Sequence, residues 1–201
     1  MYHKSVLLNE CIEGLNIKPN GIYVDVTFGG GGHSSLILSK LDQGRLFSFD
    51  QDKTTNIYAF NDVRFKLINA NFRYIKNFLK KEGIVKIDGL LADLGVSSHQ
   101  FDVAERGFSI RLNSNLDMRM NIDSSFSAIE VINDYSENDL ANIFYKYSDL
   151  KNSKKIAKTI IDARKTHTIK TTKDLVDLIS PLVLNKNKNK FLARVFQAIR
   201  I

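Results

Sequence analysis

The residues with the clearest potential for chemistry lie in the run DVTFGGGGHS, which begins at Asp25 and ends at Ser34. Glycine adopts positive φ angles without strain and has no Cβ, so consecutive glycines allow a tight turn and let a ligand rest against the backbone. The run follows a predicted strand and precedes a predicted helix. We therefore expect it to form a ligand-binding loop.

The spacing of these residues narrows the class of ligand. The dinucleotide fingerprint G-x-G-x-x-G would need a glycine where Ser34 stands, and a Walker-type phosphate loop would need a lysine after the glycines. What remains is an acidic residue on a strand, Asp25, with glycines four and six positions later, Gly29 and Gly31. This layout is typical of folds that bind S-adenosylmethionine.

A second acidic residue has the position expected for a ribose ligand. Asp50 ends the second predicted strand, about 20 residues beyond Gly31, where a carboxylate in this topology can accept hydrogen bonds from both ribose hydroxyls. Asp52 competes for this role. Its alternative role, which we favour, is to cap the N-terminus of a helix that begins at Lys53.

The fourth predicted strand ends in the run DGLLADLGVSSHQF, which contains Asp93. Doubly wound sheets bind ligands at the carboxyl ends of their strands. An aromatic amine is a poor nucleophile, and acceptors that hydrogen-bond its protons help its nitrogen to attack a methyl carbon. Asp93 is the candidate catalytic residue, and Ser97 and Ser98 are candidates for this task or for holding the amino acid part of the cofactor. The alternative for Asp93 is capping of the following turn.

The elements that must position these residues alternate between short apolar runs and amphipathic stretches. Strands are predicted over Tyr23–Phe28, Leu46–Asp50, Phe65–Asn69 and Ile87–Leu94, and helices over Ser34–Leu41, Lys53–Asn61 and Asn71–Lys81. This β-α-β order predicts a parallel sheet with right-handed crossovers. The first hundred residues are therefore expected to form half of a doubly wound domain.

The pattern changes after this sheet. From Gly95 to Met120 the chain has neither a helical nor a strand period, and such a run is usually functional or disordered. A polar connector over 185–190 then precedes a last amphipathic helix over 191–201. Between the irregular run and this connector, helices are predicted over Ala128–Tyr135, Glu137–Tyr147, Ser153–Lys165 and Lys173–Leu184, with Ser136 and Thr171 as N-caps. We expect a separate helical module.

Positive charge is concentrated in this module. Residues 151–201 contain 13 Lys and Arg against 3 Asp and Glu, whereas residues 1–150 contain 16 and 19. Clustered cations neutralise phosphates and release counterions, so nucleic acid is the first partner to consider, with a solubilising surface as the alternative. The candidates for this role are Lys151, Lys154, Lys155, Lys158, Arg164 and Lys165.

Composition excludes several other classes of site. The single cysteine, Cys11, excludes an internal disulfide framework and a cysteine-based zinc site. The other histidines show no metal-ligand spacing with His33, so no metal site is expected. No apolar stretch approaches the roughly 18 residues of a membrane span, and the N-terminus lacks the plan of a signal peptide. We expect a cytoplasmic protein with no membrane association.

Together these motifs resemble the MraW/RsmH family of small-subunit ribosomal RNA cytosine-N4 methyltransferases. The matching segments are YVDVTFGGGGHS, DGLLADLGVSS, ERGFSIR, LDMRM, IAKTIIDAR and FQAIRI, which span nearly the whole chain in the family's order. LDMRM and ERGFS are more specific than a glycine loop because they are not general to methyltransferases. On these segments the chain is identified as a member of the family.

The resemblance implies an α/β fold, a Rossmann-like S-adenosylmethionine-dependent methyltransferase sheet with an inserted all-helical domain. Residues 1–104 would form the cofactor-binding domain with the first four strands, residues 105–190 the loop and a helical RNA-recognition domain, and residues 191–201 a helix that returns to the first domain. The implied cofactor is S-adenosylmethionine. Its implied contacts are Gly31, Gly32, His33, Asp50, Phe72, Asp93 and Gln100.

The chain departs from the family pattern in two places. His99 stands where the family usually has proline, so the loop before Gln100 is expected to be less rigid. Family members also continue beyond FQAIRI into further strands, so we expect a partial sheet that lacks the last strands and leaves the fourth strand at an exposed edge. The chain is then a fragment or a natural truncation, and an inactive RNA-binding fragment is the alternative to an enzyme.

The reaction implied by the resemblance is direct methyl transfer to N4 of a cytosine in 16S ribosomal RNA. The implied partner is small-subunit ribosomal RNA or the assembled small subunit, and the sequence is compatible with an oligomer. A base within an RNA helix hides its amine, so the target must be unpaired or flipped out. Phe101 and Phe108 could stack on it, with burial as the alternative for each. A nucleotide-dependent oxidoreductase is a further alternative, which the glycine pattern disfavours.

Overall fold

The boundary between the two parts of the chain lies at Ser97. A computed structural model describes residues 5–201, apart from the side chains of Ser98 and His99. The first unit runs to Ser97 and includes Met120–Ile122, and the second consists of Ser98–Arg119 and Asp123–Ile201. The division therefore comes earlier than residue 104, where the sequence analysis placed it.

Four parallel strands form the sheet of the first unit. They are β1 (Ile22–Asp25), β2 (Arg45–Phe49), β3 (Phe65–Ile68) and β4 (Gly89–Leu91). Their order is β3-β2-β1-β4. The predicted parallel α/β sheet is confirmed, and so is the position of the fourth strand at an edge of the described sheet, where Leu90 is 47% exposed.

Both faces of this sheet are covered by apolar side chains. Successive residues of a strand point to opposite faces, so Tyr23 of β1 packs in one cluster with Ile12 and Ile37, whereas Val24 packs in another with Leu79. The first cluster includes helices α1 (Leu8–Leu15) and α2 (Gly32–Ser39), and the second includes α3 (Ile75–Lys81). This arrangement is that of a doubly wound domain.

One predicted helix of the first unit is shorter and tighter than expected. Residues Lys53–Tyr58 form a 3₁₀ helix instead of an α-helix over Lys53–Asn61. In its first turn the backbone N–H and the hydroxyl of Thr54 both donate to the Asp52 carboxylate. Such local hydrogen bonds compete with the backbone hydrogen bonds of an α-helix. A second 3₁₀ turn, Phe72–Tyr74, precedes α3.

The second unit is helical. Its α-helices are α4 (Ser98–Asp102), α5 (Ala128–Asp134), α6 (Glu137–Ser148), α7 (Ser153–Arg164), α8 (Thr172–Ile179) and α9 (Lys188–Arg200). Helix α4 and a 3₁₀ turn at Ala104–Arg106 lie in the stretch predicted to be irregular. No helix within residues 5–201 is both long and apolar enough to cross a membrane.

The last helix packs within the second unit. We expected residues 191–201 to return to the first domain, but α9 packs on α6 in the second unit. The Ser148 hydroxyl donates to the carbonyl of Arg194, and the Gln197 amide donates to the carbonyl of Tyr147 at 3.3 Å. Helix α9 buries one apolar face, and α6, on which it packs, buries Leu140 and Phe144. Helix α9 also begins at Lys188, within the predicted connector.

Candidate functional site

The strand order reverses direction beside the glycine loop. The chain passes from β1 to β2 to β3 in one direction and then places β4 on the other side of β1. Ligands of open α/β sheets bind at such a switch point, outside the carboxyl ends of the strands. The loop after β1 and the segment after β4 flank this point.

The glycine loop has a backbone that other residues would adopt only with strain. Gly29 has a φ angle of 53° and Gly31 a φ angle of 77°. A Cβ at position 31 would lie 3.0 Å from the rings of Phe28 and Phe60. Both the backbone conformation and the space around the loop therefore favour glycine at position 31.

Asp25 is the buried anchor of the loop. Its side chain is fully shielded from solvent and accepts hydrogen bonds from Thr27 N (3.0 Å), Thr27 Oγ (3.2 Å) and Ser34 Oγ (2.7 Å). Burial raises the pKa of this carboxyl, and the bonds from Ser34 and Thr27 oppose that effect. Ser34 Oγ also lies 2.8 Å from Ser48 Oγ, so the anchor joins β1, α2 and β2. Asp25 therefore fixes the position of the glycine loop relative to the strands.

Asp50 is joined directly to the glycine loop. Its Oδ2 accepts from Gly29 N at 2.8 Å and its Oδ1 accepts from Asp52 N at 2.9 Å. Burial raises the pKa of this half-buried carboxyl, while the two backbone bonds lower it. A carboxylate has room for about four hydrogen bonds, so Asp50 keeps acceptor capacity for a ligand.

Asp52 has the capping role that we favoured. Its side chain is buried, and its Oδ1 accepts from Thr54 N at 3.1 Å and from Thr54 Oγ at 2.8 Å. This carboxylate caps the 3₁₀ helix that begins at Lys53. The interpretation of Asp52 as an N-cap is confirmed.

Gly32 and His33 open helix α2 and contact the N-terminal segment. His33 is buried, and its Nε2 lies 3.0 Å from the carbonyl oxygen of Val6. Because a carbonyl only accepts, Nε2 carries the hydrogen. A Cβ on Gly32 would lie 2.1 Å from Ser5 Oγ. The sequence analysis missed this packing of Ser5 and Val6, for which no motif gave a signal.

Asp93 and Phe72 are exposed and lie just beyond strand ends. Asp93 follows β4 by two residues, and its N–H donates to Thr27 Oγ at 2.8 Å. Phe72 is 42% exposed at the start of a 3₁₀ turn that Asn71 caps. The Asn71 amide donates to Gln51 Oε1 at 3.1 Å, which joins the segments after β3 and β2.

The predicted site residues divide between the two units. Gly31, Gly32, His33, Asp50, Phe72 and Asp93 belong to the first unit. Gln100 is buried in α4, which belongs to the second unit. Ser97 is the last residue of the first unit before the boundary. The side chains of Ser98 and His99 lie outside the described part of the chain, and His99 is the residue that departs from the family pattern.

The two aromatic candidates for base stacking differ in exposure. Phe108 is only 3% exposed, so the burial alternative is correct for this residue. Phe101 is 45% exposed on α4. Phe101 therefore stays a candidate for stacking, and Phe108 does not.

The basic residues of α7 fall into two groups. Arg164 donates to the carbonyl of Ile132 at 2.9 Å, and Lys165 pairs with Asp162 at 2.7 Å. The other four residues are exposed, three of them on one face of α7 and Lys151 in the turn that precedes the helix, and none forms a salt bridge with an acidic side chain in the part of the chain that the structure describes. We call these four the α7 lysine row: Lys151, Lys154, Lys155 and Lys158.

Known proteins similar to this chain are methyltransferases. The family model described as the MraW methylase family matches residues 1–201. Three similar proteins are each named ribosomal RNA small subunit methyltransferase H. That of Christiangramia forsetii is 55% identical over 201 residues, covering 100% of this chain and 67% of the relative. Those of Flavobacterium johnsoniae and Phocaeicola vulgatus are 54% and 52% identical, covering 100% of this chain and 67% and 66% of the relatives. The chain thus spans about two thirds of their length.

Proposed function

This chain belongs to the MraW methylase family, and from that premise we propose that it methylates N4 of a cytosine in 16S ribosomal RNA of the small subunit, with S-adenosylmethionine as the methyl donor. One observation carries the proposal: a Cβ-free loop with positive φ angles is hydrogen-bonded to a carboxylate at the switch point of a parallel sheet. That combination suits an adenosyl ligand with a charged amino acid group.

The residues of the first unit fit this cofactor. S-adenosylmethionine supplies an electrophilic methyl group when it is bound. The backbone of Gly31 and Gly32 at the start of α2 would hold its amino acid part, and Asp50 would accept from the ribose hydroxyls. Phe72 offers an exposed ring to the adenine. His33, Asp93 and Gln100 are further proposed contacts.

Asp93 is the proposed catalytic residue. Its side chain is exposed beside the switch point, where the target base must meet the methyl donor. By accepting hydrogen bonds from the exocyclic amine, the carboxylate raises the electron density available on the nitrogen. The proton that the amine loses on methylation passes to this acceptor or to water.

The α7 lysine row is the proposed contact for the RNA backbone. Its four ammonium groups face solvent, so each can replace a condensed counterion at a phosphate without breaking a described ion pair. Arg164 and Lys165 are omitted from this role because their side chains are already engaged. Phe101 would stack on an unpaired base. Because the proposed substrate is ribosomal, naked or assembled, the proposed location of the reaction is the cytoplasm.

Transfer of labelled methyl groups to undermethylated small subunits tests the proposed function. We expect this chain to label one cytosine. The Christiangramia forsetii relative is the positive control and should label the same cytosine. The Asp93→Asn variant should bind the cofactor more weakly and lose most of the transfer even when it is saturated with cofactor. If the relative labels the subunit and this chain binds the cofactor and RNA without transfer, the chain is an inactive RNA-binding fragment.

Cofactor identity needs a separate titration. In isothermal titration calorimetry we expect S-adenosylmethionine to bind to the chain. We expect no saturable binding of NADH. Binding of NADH alone would contradict the methyltransferase proposal and support an oxidoreductase.

A further inference from the structure

One hydroxyl group connects the glycine loop with the segment that carries Asp93. Thr27 lies between Asp25 and the glycines, and its Oγ is 3.2 Å from Asp25 Oδ1 and 2.8 Å from Asp93 N. An amide N–H only donates, so Thr27 Oγ accepts from Asp93 and directs its own hydrogen to Asp25. Residues 66 positions apart in the chain are thus joined through one side chain.

The Asp25 end of this connection is rigid. Asp25 is fully buried, and its other oxygen accepts from Ser34 Oγ, which in turn contacts Ser48 of β2. Thr27 N–H also donates to Asp25 Oδ1 at 3.0 Å, so the Thr27 backbone and side chain are held by one carboxylate. The position of Thr27 Oγ is therefore set by the core of the sheet.

Within the part of the chain that the structure describes, the Asp93 end has little other support. The strand pairing of β4 with β1 ends where Val26 N–H donates to the carbonyl of Leu91 at 3.0 Å. Beyond it, Ala92, Asp93, Leu94 and Gly95 are exposed. The bond from Asp93 N–H to Thr27 Oγ extends the connection between the two strands past the end of the sheet.

We propose that Thr27 is a positioning residue for methyl transfer: its hydroxyl transmits the fixed position of the buried Asp25 anchor to Asp93 at the switch point. The inference rests on the proposed function, in which Asp93 contacts the cofactor and the target amine. Removing the hydroxyl leaves the shape of the side chain intact but frees the Asp93 backbone. A serine at this position retains the hydroxyl and the connection.

The first test compares Thr27→Val with Thr27→Ser in the full chain. Valine keeps the branched shape of threonine, so the loss is confined to one hydroxyl that makes two hydrogen bonds. We expect the Kd for S-adenosylmethionine to rise about tenfold in Thr27→Val and to stay within about twofold in Thr27→Ser. Thr159→Val, which removes a hydroxyl bonded to Lys155 O within α7, is the matched control and should leave this Kd unchanged.

The second test measures hydrogen exchange at the Asp93 amide by NMR and needs no cofactor. We expect this amide to exchange about tenfold faster in Thr27→Val than in the unmodified chain and Thr27→Ser, while the amide of Val26 stays protected. Equal exchange at Asp93 in all three proteins would overturn the inference, and so would an unchanged cofactor Kd in a folded Thr27→Val variant. If the unmodified chain bound no S-adenosylmethionine, the proposed function would fail, and the exchange rates would still decide whether Thr27 holds Asp93.

Discussion

The acidic groups around the glycine loop are buried or bound to backbone N–H groups, whereas the lysines of α7 face solvent. Asp25 and Asp50 accept five hydrogen bonds whose lengths lie between 2.7 and 3.2 Å. The ammonium groups of the α7 lysine row make no such hydrogen bonds among the described residues, although Lys158 interacts electrostatically with Asp162. The first unit therefore arranges a few charges at fixed positions, whereas the second unit presents exposed charges whose number matters more than their geometry.

This difference corresponds to the two proposed binding roles, of the cofactor by the first unit and of RNA by the second. Buried hydrogen-bonded groups are insensitive to salt but intolerant of small geometric changes. Exposed lysines tolerate substitution individually and act through counterion release, which depends strongly on salt. Perturbations of the two regions should therefore differ in both size and kind.

Removal of the Asp25 carboxyl should have the largest effect. Asp25→Ala leaves the hydroxyls of Thr27 and Ser34 without their buried acceptor, so we expect the free energy of unfolding to fall by about 3 kcal/mol. Urea denaturation followed by circular dichroism measures this loss. Asp177→Ala, which removes an exposed partner of Lys173 on α8, is the control and should have no measurable effect. Equal stability of the two variants would show that Asp25 is not an anchor.

A side chain at position 31 should damage cofactor binding next. Gly31→Ala combines a positive φ angle, which costs about 1–2 kcal/mol, with tight contacts to Phe28 and Phe60. We expect the Kd for S-adenosylmethionine to rise about 30-fold. Gly14→Ala in α1 is the control, because a Cβ there meets nothing within 4 Å, and it should leave the Kd unchanged. Unchanged binding by Gly31→Ala would place the cofactor elsewhere.

The pH dependence of cofactor binding should show a smaller effect. Burial raises the pKa of Asp50 above the usual value for aspartate, so protonation begins at a higher pH than for an exposed carboxyl. Protonation removes acceptor capacity, and cofactor affinity should fall by up to about tenfold as the pH drops from 8 through this pKa. Titration calorimetry across that range measures the fall. Asp50→Asn should bind more weakly with a flat profile, and a similar pH dependence in that variant would assign the effect to Asp25 instead.

Loss of two lysines should have the smallest effect at physiological salt. Lys154→Gln combined with Lys155→Gln should weaken RNA binding by about fivefold and reduce the slope of log K against log salt by about 2. Fluorescence anisotropy between 50 and 300 mM salt measures that slope. Lys173→Gln is the control, since Lys173 is already paired with Asp177. An unchanged slope in the double variant would exclude the α7 lysine row as an RNA contact.

Local patterns predicted the elements that depend on neighbouring residues. Thr171 forms a capping box with Asp174, as its spacing indicated, and Ser136 accepts from Asp139 N. Asp52 caps the turn that begins at Lys53. These outcomes could be predicted because the interacting groups lie within a few residues of each other.

Interactions between distant segments could not be predicted in the same way. Periodicity indicated an apolar face on α9 but did not identify α6 as its partner. Arg164 was listed among the candidate RNA contacts, although its guanidinium donates to the carbonyl of Ile132 of α5. A pattern shows that a side chain needs a partner, but the partner depends on how the helices pack.

By itself the sequence determined the family, the parallel sheet and the conformation of the glycine loop. A residue without Cβ is required wherever a positive φ angle coincides with a close contact, and such positions can be read from residue types. Only the tertiary structure decided that β4 lies beside β1, which brings Asp93 to Thr27. Strand order depends on packing across both faces of the sheet, and no local run of residues encodes it.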